Sequence, residues 1–211
     1  MKKITIIDYG CGNILNLVRA IKFLGYEAEP THDKKSIINS SHLILPGVGA
    51  FGNAMQKLEQ YNLQNIILEY AKSGKPLFGI CLGMQLLFTE SCEFGNHKGL
   101  NLIEGEVIKI SNKKNKEIKI PHVGWNEIYP VNSKKEWKNN ILKNSLIGKS
   151  FYFVHSFVCQ TKNPNSTIAA CNYLGTSIPA VVSIDNIFGC QFHPEKSADN
   201  GLAVLKNFCE I

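Results

Sequence analysis

The stretch Pro76-Leu77-Phe78-Gly79-Ile80-Cys81-Leu82-Gly83-Met84-Gln85 decides the fold of this chain. It reads as a short buried strand, Leu77 to Ile80, an elbow at Cys81, and a helix expected over Leu82 to Glu90. Glycines at 79 and 83 suit a sharp turn with little side-chain clash. That is the logic of a G-x-S-x-G nucleophile elbow, with Cys in place of Ser. The segments before it alternate in the same way. Ile4 to Asp8 reads as a buried strand, Asn13 to Leu24 as a helix ended by Gly25, and Glu27 to Pro30 as a second strand. His42 to Leu45 is a short buried strand, and Asn53 to Tyr61 and Gln64 to Ser73 read as helical. Strands alternating with helices predict a mainly parallel sheet covered on both faces.

The pattern changes after Gly99. Glu106 to Ile110, Ile118 to Pro121, Asn126 to Pro130, Phe151 to Val158, Thr167 to Asn172, Ala180 to Ile184 and Ile187 to Phe192 read as strands joined by short turns. A final helix is expected over Asn200 to Cys209. The expected fold is therefore α/β: a flavodoxin-like, mainly parallel sheet flanked by helices, extended by antiparallel strands in the C-terminal half. No repeat, low-complexity linker or second domain interrupts it, so residues 1–211 are read as one domain.

Composition excludes several classes. Hydrophobic content of 44% and charged content of 19% are those of an ordinary globular protein. The net charge of +6 comes almost wholly from lysine, since Arg19 is the only arginine. Much of that lysine lies in Lys109 to Lys119 and Lys134 to Lys149, interleaved with asparagine rather than aromatics. Solvated loops explain this better than a nucleic-acid surface, which presents arginine and stacking aromatics on a defined element. No signal peptide precedes the first strand, and no apolar run approaches the about 18 residues that span a bilayer. The seven cysteines are an odd count without a CxxC pair, so a reducing cytoplasm without disulfides is expected. Cys190-x-x-His193 has no accompanying ligand cluster, so neither a metal site nor a cofactor is expected.

Cys81 stands apart from the other cysteines because it lies between glycines at the start of a helix. Free N–H groups and the helix dipole there favour negative charge. Cys11, in a glycine turn after the first strand, is its only rival as nucleophile. The second informative stretch is Gln191-Phe192-His193-Pro194-Glu195-Lys196-Ser197. Pro194 holds His193 extended, and residues i and i+2 of an extended chain point the same way. Glu195 can then orient the His193 imidazole, a relation that no other histidine here has with a carboxylate two residues on. Thiol, imidazole and carboxylate together describe acyl transfer through a thioester. The order histidine-then-acid differs from that of α/β-hydrolases, which argues against an esterase or lipase.

Gly47-Val48-Gly49-Ala50-Phe51-Gly52 formally satisfies the dinucleotide fingerprint G-x-G-x-x-G. Pro46 opens the loop, and no acidic residue ends a strand about 20 residues later, which weakens that reading. The preferred reading is that the loop faces Cys81 and supplies one oxyanion N–H, with the Leu82 N–H supplying the other.

These segments, with Asp8-Tyr9-Gly10-Cys11-Gly12-Asn13, Pro121-His122-Val123-Gly124-Trp125-Asn126 and Tyr152-Phe153-Val154-His155-Ser156, span nearly the whole chain. Together they resemble the class I (triad-type) glutamine amidotransferases. More narrowly, they resemble the glutaminase subunits of imidazole glycerol phosphate synthases, from histidine biosynthesis. The resemblance implies Cys81 as nucleophile, His193 as base and Glu195 as orienting acid. It implies Val48 or Gly49 as the loop's oxyanion donor, and Gln85 and Glu93 as binding groups for L-glutamine. It also implies a (β/α)8-barrel cyclase as heterodimer partner, with Asn13, Trp125, Tyr152 and Lys196 lying toward it. Two readings stay open on the residues alone. One is a paralogous glutaminase that feeds an amidino-sugar synthetase, and the other is a nucleotide-binding α/β module with an inert triad.

Overall fold

A computed structural model describes residues 2–111, 119–131, 136–137, 141–143 and 146–211. The first half alternates strands with helices: β1 (Lys3–Ile7), α1 (Ile14–Phe23), β2 (Glu27–Thr31), α2 (Lys34–Asn39), β3 (His42–Leu45), α3 (Phe51–Gln60), α4 (Gln64–Lys72), β4 (Leu77–Ile80) and α5 (Leu82–Leu86). The second half is mostly strands: β5 (Phe88–Ser91), β6 (His97–Lys98), β7 (Ile103–Lys109), β8 (His122–Pro130), β9 (Ser150–His155), β10 (Phe157–Thr161), β11 (Thr167–Tyr173), β12 (Thr176–Ile184) and β13 (Ile187–Cys190), closed by α6 (Ala198–Glu210).

The main sheet has the order β2-β1-β3-β4-β13-β12-β11-β8-β9. Strands β2, β1, β3, β4 and β13 run parallel, and β12, β11, β8 and β9 extend them with antiparallel pairings. The parallel strands are near-continuous apolar runs because both their faces are covered. Leu17, Ile21, Val204, Leu205 and Phe208, from α1 and α6, pack with Ile4, Ile6, Ile44 and Phe78 on one face. Ile37, Ala54, Leu58, Ile67, Tyr70 and Met84, from α2 to α5, pack with Ile7, Leu43, Leu45 and Leu77 on the other.

Some expectations shift in the structure. The helix expected over Leu82 to Glu90 stops at Leu86, and Phe88–Ser91 forms a strand beside β6 and β7. Phe88 is fully buried, and Glu90 extends outward to pair with Lys98 at 2.8 Å. Backbone pairing with β6 and β7 holds this segment extended, and a register irregularity between Phe88 and Glu90 lets the two residues differ in exposure. The strand expected over Phe151 to Val158 is two strands that part at Ser156. β9 edges the main sheet, whereas β10 edges a second sheet of order β10-β7-β5-β6. The strand expected from Ile118 begins outside the described residues, and Lys119 to Pro121 lead into β8 without strand pairing. Helix α2, which the apolar pattern did not suggest, buries only Ile37 and is capped by the Asp33 carboxylate on the Ser36 N–H. Much of the two lysine-rich loops lies outside the described residues.

This topology sets up the site. β3, β4 and β13 are adjacent and parallel, so their C-terminal ends deliver three loops to one edge of the sheet. Crevices outside the carboxyl ends of such strands are where open α/β sheets bind ligands.

Candidate active site

Cys81 sits on the turn between β4 and α5 at φ 54° and ψ −111°. A side chain held there costs on the order of 1–3 kcal/mol, so the surroundings must enforce it. They do so through close backbone contact. A Cβ on Gly83 would fall 1.8 Å from the Leu45 carbonyl oxygen, and one on Gly79 would fall 2.7 Å from the Gly83 oxygen. The chain therefore folds tightly over itself, with the Cys81 side chain lifted from the elbow. Because α5 is only five residues long, a long helix dipole contributes little. What the elbow offers is the Leu82 N–H, one of the first-turn donors that find no partner within a helix.

His193 reaches Cys81 because β13 is parallel to β4 with Cys190 opposite Ile80. The Cys81 N–H donates to the Cys190 carbonyl at 2.7 Å and locks the two strand ends together. His193 is extended at φ −96° and ψ 98°, as Pro194 requires, and its Nδ1 lies 2.8 Å from Glu195 Oε1. Both side chains are almost wholly buried. Strand β9 holds this turn from behind. The His193 N–H donates to the Tyr152 carbonyl at 2.9 Å, the Tyr152 N–H donates to Ser197 Oγ at 2.9 Å, and the Ser197 hydroxyl donates to the His193 carbonyl at 2.6 Å.

Burial alone would depress the His193 pKa. Hydrogen bonds with Cys81 and Glu195, together with their charges, outweigh burial and lift it from 6.5 to about 10. A raised pKa of this kind stabilises the fold fully below about pH 6.5, and that stabilisation is lost as pH rises through the folded value. Cys81→Ala removes one of the two partners that lift it. The His193 midpoint is therefore expected to fall in that variant when followed by imidazole NMR. The stability lost on raising the pH toward 10 should shrink with it. An unmoved midpoint would assign the lift to Glu195 alone.

A cavity of about 190 Å³ opens beside Cys81, and Val48, Gly49, Leu82, Gln85 and His193 line it. Val154, His155, Ser156 and Phe157, from the corner between β9 and β10, form its other wall. This volume lies below the about 300–1,000 Å³ usual for ligand pockets, so it suits a small amino acid better than a dinucleotide. The 46–50 loop is pinned at one end and open at the other. A Cβ on Gly47 would come within 2.9 Å of Gly83 N, Leu82 Cβ and Tyr9 Oη, whereas Gly49, at φ 103°, has nothing within 4 Å.

Gln85 does more than line the cavity. Its Nε2 donates to the Phe157 carbonyl at 3.2 Å and to Gln191 Oε1 at 3.1 Å, which turns the Gln191 amide nitrogen toward Cys81 Sγ at 3.7 Å. The sequence carries a signal for Gln191 beside that for His193, because residues 191 and 193 of an extended segment share a side. Glu93 is buried rather than solvated. Its Oε2 accepts the Phe51 N–H at 2.6 Å, at the start of α3, and it is not among the residues lining the cavity.

Trp125, Tyr152 and Lys196 form one surface group. The Trp125 and Tyr152 rings meet at 6.0 Å, Lys196 Nζ lies 5.9 Å from the Tyr152 ring centre, and Trp125 is 53% exposed. Asn13 is the N-terminal flank of α1, and that helix packs against the 194–196 turn. Cys11 is buried and does not line the cavity. Burial raises the pKa of Cys159 and Cys190 strongly and takes Cys171 and Cys209 up to about 12, so these four remain thiols. Among the described residues no group of His, Cys, Asp and Glu is arranged to hold a metal, and no helix is long and apolar enough to cross a membrane.

The family model for glutamine amidotransferase class-I matches residues 5–211. The chain belongs to the class I glutamine amidotransferase family. This amidotransferase is 42% identical over 213 residues to imidazole glycerol phosphate synthase subunit HisH 1 of Legionella pneumophila strain Paris, covering 100% of both chains. It is 45% identical over 207 residues to subunit HisH of Wolinella succinogenes, covering 98% of each. Among solved structures it resembles a glutamine amidotransferase with a TM-score of 0.72 at 18% identity, covering 98% of this chain and 99% of the other. That likeness bears on the fold, and it matches the mixed sheet described above.

Proposed function

We propose that this amidotransferase hydrolyses L-glutamine to L-glutamate and ammonia. It would deliver the ammonia to a (β/α)8-barrel cyclase partner that makes imidazole glycerol phosphate and aminoimidazole carboxamide ribotide. The observation that carries the chemistry is that Cys81 and His193 line one small cavity while Glu195 holds the His193 imidazole from its other nitrogen. The HisH relatives, matched at full length, support the pathway. Cys81 gives its proton to His193 and attacks the γ-carboxamide carbon. The Leu82 N–H and a loop donor at Val48 or Gly49 receive the oxyanion. The His193 imidazolium, held by Glu195, protonates the departing ammonia, and water activated by His193 then releases glutamate from the thioester. Gln85 fixes the Gln191 amide beside the sulfur. Glu93 serves the α-ammonium group of glutamine after giving up, or sharing, its bond to the Phe51 N–H. Ammonia free in neutral water is mostly ammonium, which is not a nucleophile, so direct transfer to a partner is required. Asn13, Trp125, Tyr152 and Lys196 form the side that meets the cyclase.

An electrophilic glutamine analogue tests the assignment. It is expected to label Cys81 alone among the seven cysteines. Four are buried thiols held protonated, Cys11 is buried away from the cavity, and Cys92 is exposed but does not line the cavity. Peptide mapping that finds equal labelling at Cys11 would reject Cys81 as the nucleophile.

A further inference from the structure

Behind the cavity wall runs a second line of polar groups that the proposed chemistry does not use. Asn126 Nδ2 donates to the Asn172 carbonyl at 2.9 Å, and Asn126 Oδ1 meets His122 Nε2 at 2.8 Å. His122 Nδ1 meets His155 Nε2 at 2.9 Å, and His155 Nδ1 meets the Phe157 carbonyl at 2.9 Å. Both histidines are buried, so bulk water cannot stand in for a missing partner.

Both ends of this line are peptide carbonyls, which only accept. The Asn172 carbonyl turns the Asn126 NH₂ group toward itself, so the amide oxygen faces His122 and Nε2 must donate. The Phe157 carbonyl likewise requires a proton on His155 Nδ1. The inner contact between the rings needs one proton more. Two neutral imidazoles bring two ring protons where the line requires three. With neutral rings, two acceptors must face each other somewhere, and a buried hydrogen bond is forfeited.

We propose that His122 and His155 share one added proton, and that this buried positive charge is the counter-charge for the α-carboxylate of glutamine. The second part rests on the glutaminase reading. His155 lines the cavity with Cys81, no lysine or arginine is among the residues lining it, and His193 is engaged with Glu195. Glutamine enters as a zwitterion, and its carboxylate sheds water that the cavity must replace.

The groups facing the pair pull in both directions. Burial lowers both pKa values, that of His155 to about 3, and the charge of His193 opposes a proton there. In favour stand the hydrogen bonds and the Tyr173 ring of β11, stacked on His122 at 4.0 Å with its hydroxyl donating to the Lys119 carbonyl. Phe153 stacks on the same imidazole at 5.0 Å. Aromatic faces favour a cation. A carboxylate arriving in the cavity adds attraction, so glutamine binding and the proton support each other. Affinity for glutamine therefore falls as pH rises through the midpoint of the pair.

The experiment uses the full chain carrying Cys81→Ala, which retains L-glutamine without hydrolysing it. Nitrogen-15 NMR of labelled histidines, with L-glutamine bound, is expected to show three protonated ring nitrogens across His122 and His155. Two neutral rings with glutamine bound would overturn the proposal. His122→Gln keeps a neutral donor toward His155 but removes the charge. It is expected to weaken L-glutamine binding about tenfold and to abolish the pH dependence of that binding. Asn126→Ala, which deletes the acceptor that demands the extra proton, should shift binding in the same direction. In the active chain both changes should appear in KM, with kcat held within about twofold. A charged pair whose removal leaves glutamine affinity unchanged would overturn the counter-charge role. Failure of the glutaminase reading shows separately, as an unsubstituted chain that does not hydrolyse glutamine even with cyclase and its ribonucleotide, while the proton count stands.

Discussion

Cys81→Ala is expected to abolish glutamine-dependent turnover, by about 10⁴-fold or more, as loss of a covalent nucleophile does elsewhere. The same variant, assembled with the cyclase, should keep its turnover on added ammonium salts. In the proposed reaction the acceptor chemistry belongs to the partner and needs ammonia from any source. The substitution removes one sulfur atom and leaves the elbow intact, since the close packing of Gly79 and Gly83 fixes the backbone there. A folding defect is thus not the expected cause. The measurement is a paired assay, glutamate release with glutamine and product formation with ammonium, on the same preparation. Retention of glutamine hydrolysis near the unsubstituted rate would remove Cys81 from the mechanism. Loss of both activities would point to a structural role instead.

The parallel half of the fold was legible because each of its elements carries its own signal. Ile4 to Ile7 and His42 to Leu45 are apolar runs of strand length, and both lie fully buried in the sheet. Where the structure departs from local sequence signals, the competing interaction is not local. Leu86, Leu87 and Phe88 are all buried, so an apolar run continues through the end of α5 and hides the change of element. What ends the helix is pairing of Phe88 and Glu90 with β7, contributed by residues about fifteen positions later. The break at Ser156 has the same origin. His155 pairs with His122 in the main sheet while Phe157 pairs with Lys109 in the small one, and nothing in the local sequence announces the change of partner.

The site was legible to the extent that its geometry is short-range. Glu195 reaches His193 because Pro194 fixes the backbone between them, and that relation is contained in three residues. Cys81 is marked by its glycines. Gln191 and the His122–His155 pair were not assigned because their meaning depends on what lies opposite. Gln191 is defined by Gln85 of α5, and His155 by His122 of β8, each partner distant in sequence. Glu93 shows the converse. Sequence placed it after a helix, yet the fold directs its carboxylate to the Phe51 N–H, where it holds the far end of the 46–50 loop.

That loop motivates the second large effect. The chain alone is expected to be a poor glutaminase, raised about 10²–10³-fold by the cyclase with its ribonucleotide bound, the range that one oxyanion donor is worth. Gly47 is wedged against the elbow, while Gly49 stands in open space at φ 103° and the Val48 side chain is 45% exposed. A loop anchored at one glycine and free at the other can turn its Val48 peptides without disturbing Cys81. A partner that binds only the competent orientation shifts the population by its differential affinity, so the two activities become coupled. The proposed partner face has a route to the site. Tyr152, flanked by Trp125 and Lys196, accepts from the His193 N–H and donates to Ser197. Trp125→Ala and Lys196→Ala are therefore expected to weaken activation while sparing the fold and the basal rate. The check is a steady-state glutaminase assay of the chain alone, then with cyclase, then with cyclase and its ribonucleotide. Full activity in the chain alone, unchanged by either addition, would sink both the gating of the loop and the assignment to a synthase.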